Sequence, residues 1–229
     1  MYLSKQDIEK LHRQYKEVCE QAYQKVMGNV DIHRGRNFIY CNIIKSLIKN
    51  YLNNEISGKT IIRNEKTMRR NLEIENRAVS LFGKIDRIER YSEFTDIIDF
   101  KTGDTKSLKF AFQNKYNTEN LIEILGKKEQ VLQLVFYYYL MAGTGYISGD
   151  TQCRIGIYSF RNQQSNKNPQ FLKNTNNNIY HFRGTAEVGK SAVILKHLLT
   201  DIFNGKKSFQ QTVDSSKCDW CPYRNVCGR

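Results

Sequence analysis

Apolar side chains recur at helical spacing in four parts of the chain. The predicted helices span residues 4–26, 38–52, 127–141 and 188–203. Ser4 is a suitable N-cap for the first helix, and Gly28 follows its last turn, where glycine commonly ends a helix. The second places Ile39, Ile43 and Leu47 on one face. We therefore expect amphipathic helices that pack against a core.

After the second helix the apolar period shortens towards two, which is typical of β-strands. The predicted strands span residues 79–89, 95–100 and 152–160, and residues 60–77 alternate more loosely. A polar turn at 90–93 joins the first two strands into a predicted hairpin, and residues 161–178 are predicted to be a polar loop. The order of the elements predicts an α/β fold with a mixed β-sheet flanked by helices.

Length and composition indicate a folded protein with one large domain. The 229 residues are 40% hydrophobic and 12% aromatic, which suffices for a core and excludes global disorder. We divide the chain into an N-terminal helical segment (1–55), a core (56–205) and a cysteine-rich tail (206–229). Apolar runs stay short of the roughly 18 to 20 residues that span a bilayer. We expect a soluble, cytoplasmic protein without a membrane partner.

The basic residues are distributed unevenly. The net charge is +13, and residues 1–70 hold 14 Lys and Arg against 7 Asp and Glu, while residues 150–229 hold 12 against 5. The middle of the chain, residues 71–149, is almost neutral with 10 against 11. Basic flanks favour polyanions such as nucleic acid, although a lysine-rich proteome would give the same balance.

The near-neutral middle contains the candidate chemistry. Asp99 and Lys101 alternate on one predicted strand and therefore share a face, and the hairpin places Asp86 beside Asp99. Two close carboxylates repel each other and favour a hard cation such as Mg²⁺ or Mn²⁺. A neighbouring lysine can stabilise charge on a phosphate. The alternative is a plain hairpin whose Asp and Lys form surface ion pairs.

Three motifs resemble a known family. The segments Gly83–Ile88 and Ile97–Gly103 are similar to the core signature of RecB-like members of the PD-(D/E)XK nuclease superfamily, and Gln133–Tyr137 resembles the Gln-x-x-x-Tyr motif that follows it. The tail, Cys218–Cys227, resembles the cysteines of the iron–sulfur branch, which includes AddB-type exonuclease subunits and CRISPR adaptation nucleases. The resemblance implies a restriction-endonuclease-like sheet.

The resemblance also implies roles for individual residues. Asp86 and Asp99 would be the metal ligands for Mg²⁺ or Mn²⁺, and Lys101 would be the catalytic lysine. Gln133 and Tyr137 would support the site or contact DNA. The implied partners are DNA and a helicase subunit or domain.

The three tail cysteines have the spacing of a metal site. Cys218, Cys221 and Cys227 lie within ten residues, and thiolates select an iron–sulfur cluster or Zn²⁺. A fourth ligand is not identified: Cys19 and Cys41 are candidates at helical spacing, and Cys153 is predicted to lie in the core. The chain departs from the iron–sulfur relatives because it has no early Cys-Pro pair.

The early helix histidine of those relatives is also without a clear counterpart. His33 is the nearest histidine, and Arg34 and Arg36 beside it could instead contact phosphate. The leading hypothesis is a metal-dependent DNA exonuclease of recombination or repair. The alternative is a catalytically weak DNA-binding or scaffold module of a helicase–nuclease complex.

Overall fold

The computed structural model describes residues 1–229 except for a few short segments. The excepted residues are 113–116, 148–150, 162–168, 185–186, 204, 206–207, 209–210, 213 and 229. The helices are α1 (Lys5–Met27), α2 (Gly35–Asn53), α3 (Thr118–Gly126), α4 (Glu129–Met141) and α5 (Val188–Phe203). The strands are β1 (Tyr2–Leu3), β2 (Lys59–Ile74), β3 (Arg77–Tyr91), β4 (Phe94–Lys101), β5 (Gln152–Ser159), β6 (Gln170–Phe171) and β7 (Phe182–Arg183).

The strands form one mixed sheet. Its order is β1-β2-β3-β4-β5-β6, with β7 also paired to β5. The β4–β5 pair is parallel and the other pairs are antiparallel. A parallel pair needs a long crossover, and α3 and α4 lie in the connection between β4 and β5. The predicted α/β fold with a mixed sheet and flanking helices is confirmed.

Helix α4 lies against the sheet and carries much of the core. Eight of its residues are buried, among them Leu134, Tyr138 and Leu140. The helix comes so close to β3 that a Cβ on Gly83 would lie 2.9 Å from the ring of Phe136. A side chain at this position would have to displace Phe136 and Leu140, so the close approach of the helix favours glycine here. This packing fixes α4 beside the hairpin that carries the acidic residues.

The helices and strands occur near the predicted places. Ser4 caps α1 through a capping box with Asp7, and its side chain accepts a 3.1 Å hydrogen bond from the Asp7 amide. The hairpin turn falls at 92–93, inside the predicted turn. The structure corrects the prediction for two elements. Helix α3 was not predicted, and the loosely alternating segment is the long strand β2. Part of the predicted polar loop, residues 162–168, lies outside the described residues, and Gln170–Phe171 of the predicted loop form β6.

Candidate active site

Strands β3 and β4 bring the two acids together. The β3–β4 ladder runs from Tyr91–Phe94 to Arg87–Ile98, and the next positions in this register are Asp86 and Asp99. The Oδ2 atom of Asp86 accepts a 2.8 Å hydrogen bond from the backbone amide of Phe100. This bond holds the Asp86 carboxylate against β4, next to Asp99.

Lys101 and two side chains of α4 surround Asp99. The Nζ atom of Lys101 lies 2.9 Å from Asp99 Oδ2, which makes an ion pair. On the other carboxylate oxygen, Gln133 Nε2 donates a 3.1 Å hydrogen bond to Asp99 Oδ1. The Tyr137 hydroxyl donates a longer one of 3.4 Å to the same oxygen, and Gln133 Nε2 lies 2.9 Å from that hydroxyl. The i,i+4 spacing of Gln133 and Tyr137 puts both on the face of α4 that meets β4.

The side-chain alternation of β3 is broken at Asp86. Ile85 and Ile88 are both fully buried in the same core cluster, although residues three apart on a regular strand face opposite sides. On the neighbouring strand, Glu65 lies opposite Asp86 with a φ of 53°, in the left-handed region. Such irregularities re-aim side chains and are frequent beside active sites. Here the break leaves Asp86 half-buried between two buried neighbours.

Negative charge predominates among the described residues of the site. Asp99 is only 2% exposed, and this burial raises the pKa of its carboxyl. Lys101 and Tyr137 oppose the increase, whereas the negative charge of Asp86 adds to it. Burial also raises the pKa of Tyr137 to about 12, so its phenol stays protonated and can donate. Among the described residues, the site therefore holds more negative charge than Lys101 alone can balance.

The residues present fit a hard divalent cation. Asp99 Oδ2 is buried and accepts no well-aligned hydrogen bond from the described part of the chain, despite its ion pair with Lys101. An oxygen in this state is suited to be a metal ligand. No group of three or more His, Cys, Asp or Glu side chains converges among the described residues. Mg²⁺ commonly takes one or two carboxylates and completes its shell with water, so the pair Asp86 and Asp99 suffices.

Comparison with known families agrees with this geometry. The family model described as "PD-(D/E)XK nuclease superfamily" matches residues 3–228, nearly the whole chain. The chain belongs to this superfamily. The mixed sheet between helices is accordingly the restriction-endonuclease-like fold that the motifs implied. Membership of the superfamily does not distinguish its branches, so the RecB-like and AddB-type resemblance stays a prediction.

Other comparisons add little to the superfamily assignment. No curated protein matches the chain. A solved structure, that of SSO0001, is similar with a TM-score of 0.37 and 14% sequence identity, covering 96% of this chain and 79% of that one. This likeness is too distant to support a conclusion. None of the helices in the described residues is long and apolar enough to cross a membrane.

The three tail cysteines do not come together in the described structure. Cys218 ends a short 3₁₀ turn (Ser215–Cys218), and the amide of Cys221 donates a 3.2 Å hydrogen bond to its carbonyl. Cys227 is exposed, and the three thiols form no metal-sized group in the described structure. As placed, these residues do not fit a cluster or Zn²⁺. Metal analysis of anaerobically purified protein tests the prediction directly.

The remaining candidates lie away from the acids. Cys19 and Cys41 are buried on α1 and α2, and the nearness of Cys41 adds to the burial that raises the pKa of Cys19. Cys153 is fully buried in the core, as expected. His33 is exposed before α2, where its amide donates a 2.9 Å hydrogen bond to Asp31 Oδ1. None of the contacts described for these four residues involves Asp86 or Asp99.

The reverse face of the sheet carries a polar network that the sequence did not predict. Arg87 lies 2.9 Å from Glu55 Oε2 and 2.7 Å from Glu89 Oε2. Lys59 pairs with the same two glutamates, and all four side chains are nearly buried. Arg87 and Glu89 alternate on β3, a spacing that could have indicated a shared face. Their partners, Glu55 just after α2 and Lys59 at the start of β2, are distant in sequence and could not be predicted from spacing.

Proposed function

We propose that this protein is a metal-dependent deoxyribonuclease of the exonuclease type. The observation that carries the proposal is the group formed by Asp86, Asp99 and Lys101, in which a buried carboxylate oxygen lacks an aligned hydrogen bond and one cation faces two acids. An ordinary surface ion pair would be exposed and balanced. This group is neither, and its imbalance supports a metal-binding role over a structural one.

Each residue has a task in phosphodiester hydrolysis. Asp86 and Asp99 would hold Mg²⁺ or Mn²⁺, an ion that polarises a phosphate and lowers the pKa of an attacking water when bound. Lys101, about a third exposed, can reach a phosphate oxygen and stabilise the charge that develops there. Gln133 and Tyr137 hold Asp99 Oδ1, so Oδ2 would be the oxygen that binds the ion.

DNA is the proposed substrate because of the charge distribution as well as the superfamily. The acidic centre lies between two chain segments that each carry an excess of seven positive charges. Such flanks bind a phosphate backbone through counterion release. The RecB-like resemblance extends the proposal to work in recombination or repair beside a helicase subunit or domain.

The test is a cleavage assay on end-labelled single- and double-stranded DNA with Mg²⁺ and with Mn²⁺, prepared anaerobically. We expect metal-dependent degradation by the wild type, and none by Asp99→Ala, whose circular dichroism should match the wild type. Unchanged cleavage by Asp99→Ala would refute the assignment. Salt-sensitive DNA binding without cleavage under either ion would support the alternative of an inactive DNA-binding module.

A further inference from the structure

The two faces of strand β2 differ in the charges that they carry. Arg63 and Lys66 lie directly opposite Ile88 and Ile85 of β3. Both isoleucines are fully buried in the core on the α4 side of the sheet. Because residues directly opposite each other on antiparallel strands point to the same side, Arg63 and Lys66 lie on the face that contains the acidic site.

An irregular stretch of backbone brings both cations to this face. Arg63 and Lys66 are three residues apart, a spacing that places side chains on opposite faces of a regular strand. The register of β2 shifts between Ile61 and Arg63, and Glu65 has a φ of 53°. This stretch pairs with the segment of β3 in which the alternation breaks at Asp86. The irregularity beside the acidic site therefore also directs two basic side chains to the same side of the sheet.

The contacts of Arg63 support this assignment of faces. Its guanidinium carbon lies 5.5 Å from the ring centroid of Tyr146, which packs against the core on the α4 side. Nη1 of Arg63 donates a 2.7 Å hydrogen bond to the carbonyl of Ile62, whose side chain packs against the same core. Arg63 is nevertheless exposed, so these contacts position its guanidinium without enclosing it.

Acids of the same strand do not balance the cations on this face. The charged side chains of β2 on the α4 side are all basic: Arg63, Lys66 and Arg70. Arg70 donates a 2.9 Å hydrogen bond to the carbonyl of Tyr139, so it is engaged in the fold. Arg63 and Lys66 are exposed and form no ion pair with the part of the chain that the structure describes. On the opposite face of the β2–β3 ribbon, two basic and two acidic side chains balance: Arg69 and Lys84 against Glu65 and Glu73.

The two cations lie on the β2 side of the acidic site, whereas Lys101 lies on its β4 side. Strands β2, β3 and β4 are neighbours in this order, and adjacent strands are about 4.8 Å apart. Measured across the strands, Lys66 is therefore about 5 Å from Asp86 on β3 and about 10 Å from Asp99 and Lys101 on β4. A line across the sheet passes from Lys101 and Asp99 through Asp86 to the two cations of β2.

We propose that Arg63 and Lys66 bind backbone phosphates of the DNA on the β2 side of the acidic site, so that the cleaved strand crosses the sheet from β4 to β2. The inference deepens the proposed function and rests on it for the identity of the ligand. Phosphates follow each other at about 3.4 Å along a duplex strand, so a span of about 10 Å corresponds to roughly three nucleotides. Both guanidinium and ammonium groups bind phosphate oxygens well.

An acidic protein surface is the other class of polyanion that two exposed cations could bind. The position of the pair favours DNA, because a strand with one phosphate at Asp86 and Asp99 must continue past the site on one side or the other. On the β2 side it meets Arg63 and Lys66 within about one strand spacing of Asp86.

The test measures DNA binding in EDTA, by fluorescence anisotropy of a labelled duplex over a series of NaCl concentrations. The double variant Arg63→Ala/Lys66→Ala should bind about tenfold more weakly at low salt. Its slope of log affinity against log salt concentration should be smaller by about 1.8, the value for two lost phosphate contacts. The matched control is Arg69→Ala/Lys84→Ala, which removes the same two residue types from the opposite face of the ribbon and should keep the wild-type affinity and slope.

Two outcomes would overturn the proposal. If Arg63→Ala/Lys66→Ala keeps the affinity and slope of the wild type, the strand does not pass over β2. If both double variants lose the same affinity, the effect comes from net charge alone and the face has no role. Either outcome, combined with metal-dependent cleavage that Asp99→Ala abolishes, would refute only the path of the strand and leave the proposed function standing. Wild-type protein that binds no DNA would contradict both proposals.

Discussion

Two aspartates on β4, three residues apart, show how one residue type serves two purposes. Asp96 and Asp99 are 3% and 2% exposed, and their odd spacing puts them on opposite faces of the sheet. Asp96 accepts two hydrogen bonds from Arg154, at 2.7 Å from Nε and 2.6 Å from Nη2. Asp99 shares one lysine with a second acid, Asp86. Among the described residues, the first carboxylate has an arginine to itself, whereas the second must share its cation.

The same contrast extends to the rest of each face. On the reverse face, burial acts to raise the pKa of Glu55, but Arg87 and Lys59 outweigh it and the pKa is lowered. On the site face, burial and Asp86 outweigh Lys101, so the pKa of Asp99 is raised. Equal burial therefore produces opposite shifts, and the number of nearby cations decides the sign. A site that binds a metal ion must keep an excess of negative charge for the ion to neutralise.

The largest predicted effect separates the two aspartates. Asp99→Asn should lower the cleavage rate at least about a thousandfold, the scale on which single catalytic groups are lost. Asp96→Asn should keep metal-dependent cleavage but lower the free energy of unfolding by about 3 kcal/mol or more, since it leaves the Arg154 guanidinium without its carboxylate. Urea denaturation and the end-labelled assay measure the two quantities.

Each variant controls for the other, because both replace a buried carboxylate on the same strand with an amide. Equal loss of cleavage in both variants, with equal loss of stability, would mean that the acids have a common structural role. The distinction between the faces would then be wrong.

The second prediction compares two lysines. Lys101→Met should lower cleavage about a hundredfold, because it removes the cation beside the reacting phosphate, with little change in stability at this partly exposed position. Lys59→Met should have the reverse profile. Lys59 is 10% exposed at its side chain and pairs with two buried glutamates, so its loss should destabilise the fold by about 3 kcal/mol. Wild-type stability in Lys59→Met would contradict the compensation described for the reverse face.

The third prediction concerns metal binding as a source of stability. Mg²⁺ at about a hundred times its dissociation constant should raise the free energy of unfolding by about 2.7 kcal/mol if it binds only the folded protein. Asp99→Asn should lose this response, and Asp96→Asn should keep it. Differential scanning fluorimetry across a Mg²⁺ series measures the shift. A response that survives in Asp99→Asn would place the ion elsewhere.

The pH dependence of the stability of the metal-free protein provides an independent test. The folded pKa of Asp99 is raised, so the folded state binds more protons than the unfolded state between the ordinary aspartate pKa and the raised value. The contribution of Asp99 to stability therefore falls as pH increases through that window. Asp99→Asn should remove this slope and stabilise the metal-free protein at neutral pH. Saturating Mg²⁺ should remove the slope from the wild type as well.

The hairpin and the order of the elements could be predicted because they depend on local patterns. Alternation along β4 was enough to place Asp99 and Lys101 on one face, and the hairpin turn was enough to place Asp86 near them. The contact of Gln133 with Asp99 needed the motif as well, because nothing local relates α4 to β4. These predictions used either a repeating spacing or a known signature.

The features that escaped prediction depend on long-range contacts or on backbone irregularity. The break of alternation at Asp86 is associated with the positive φ of Glu65, a residue that seldom adopts this conformation and carries no sequence mark. The pairing of Asp96 with Arg154 joins strands that are separated by the α3–α4 crossover. Helix α3 was missed because it follows a mostly polar run, residues 113–117, that interrupts the apolar pattern. Spacing alone cannot reveal features that arise only when distant segments meet.

The smallest predicted effect tests how closely α4 supports the site. Tyr137 donates a long, 3.4 Å hydrogen bond to Asp99 Oδ1, whereas Gln133 donates a 3.1 Å bond to the same oxygen. Tyr137→Phe should therefore lower cleavage only about fivefold, the value of one ordinary hydrogen bond. Because the pKa of Tyr137 is about 12, its hydroxyl stays protonated, and the variant should keep the wild-type pH profile below pH 9 or so.

The matched control is Tyr139→Phe on the same helix. Its hydroxyl donates a 2.7 Å hydrogen bond to the carbonyl of Asn71, on β2 and away from the acids. This variant loses a shorter bond, so it should cost more stability than Tyr137→Phe while leaving the cleavage rate unchanged. If both variants slow cleavage to the same extent, α4 acts on the site through its overall packing, and the contact of Tyr137 with Asp99 has no separate role.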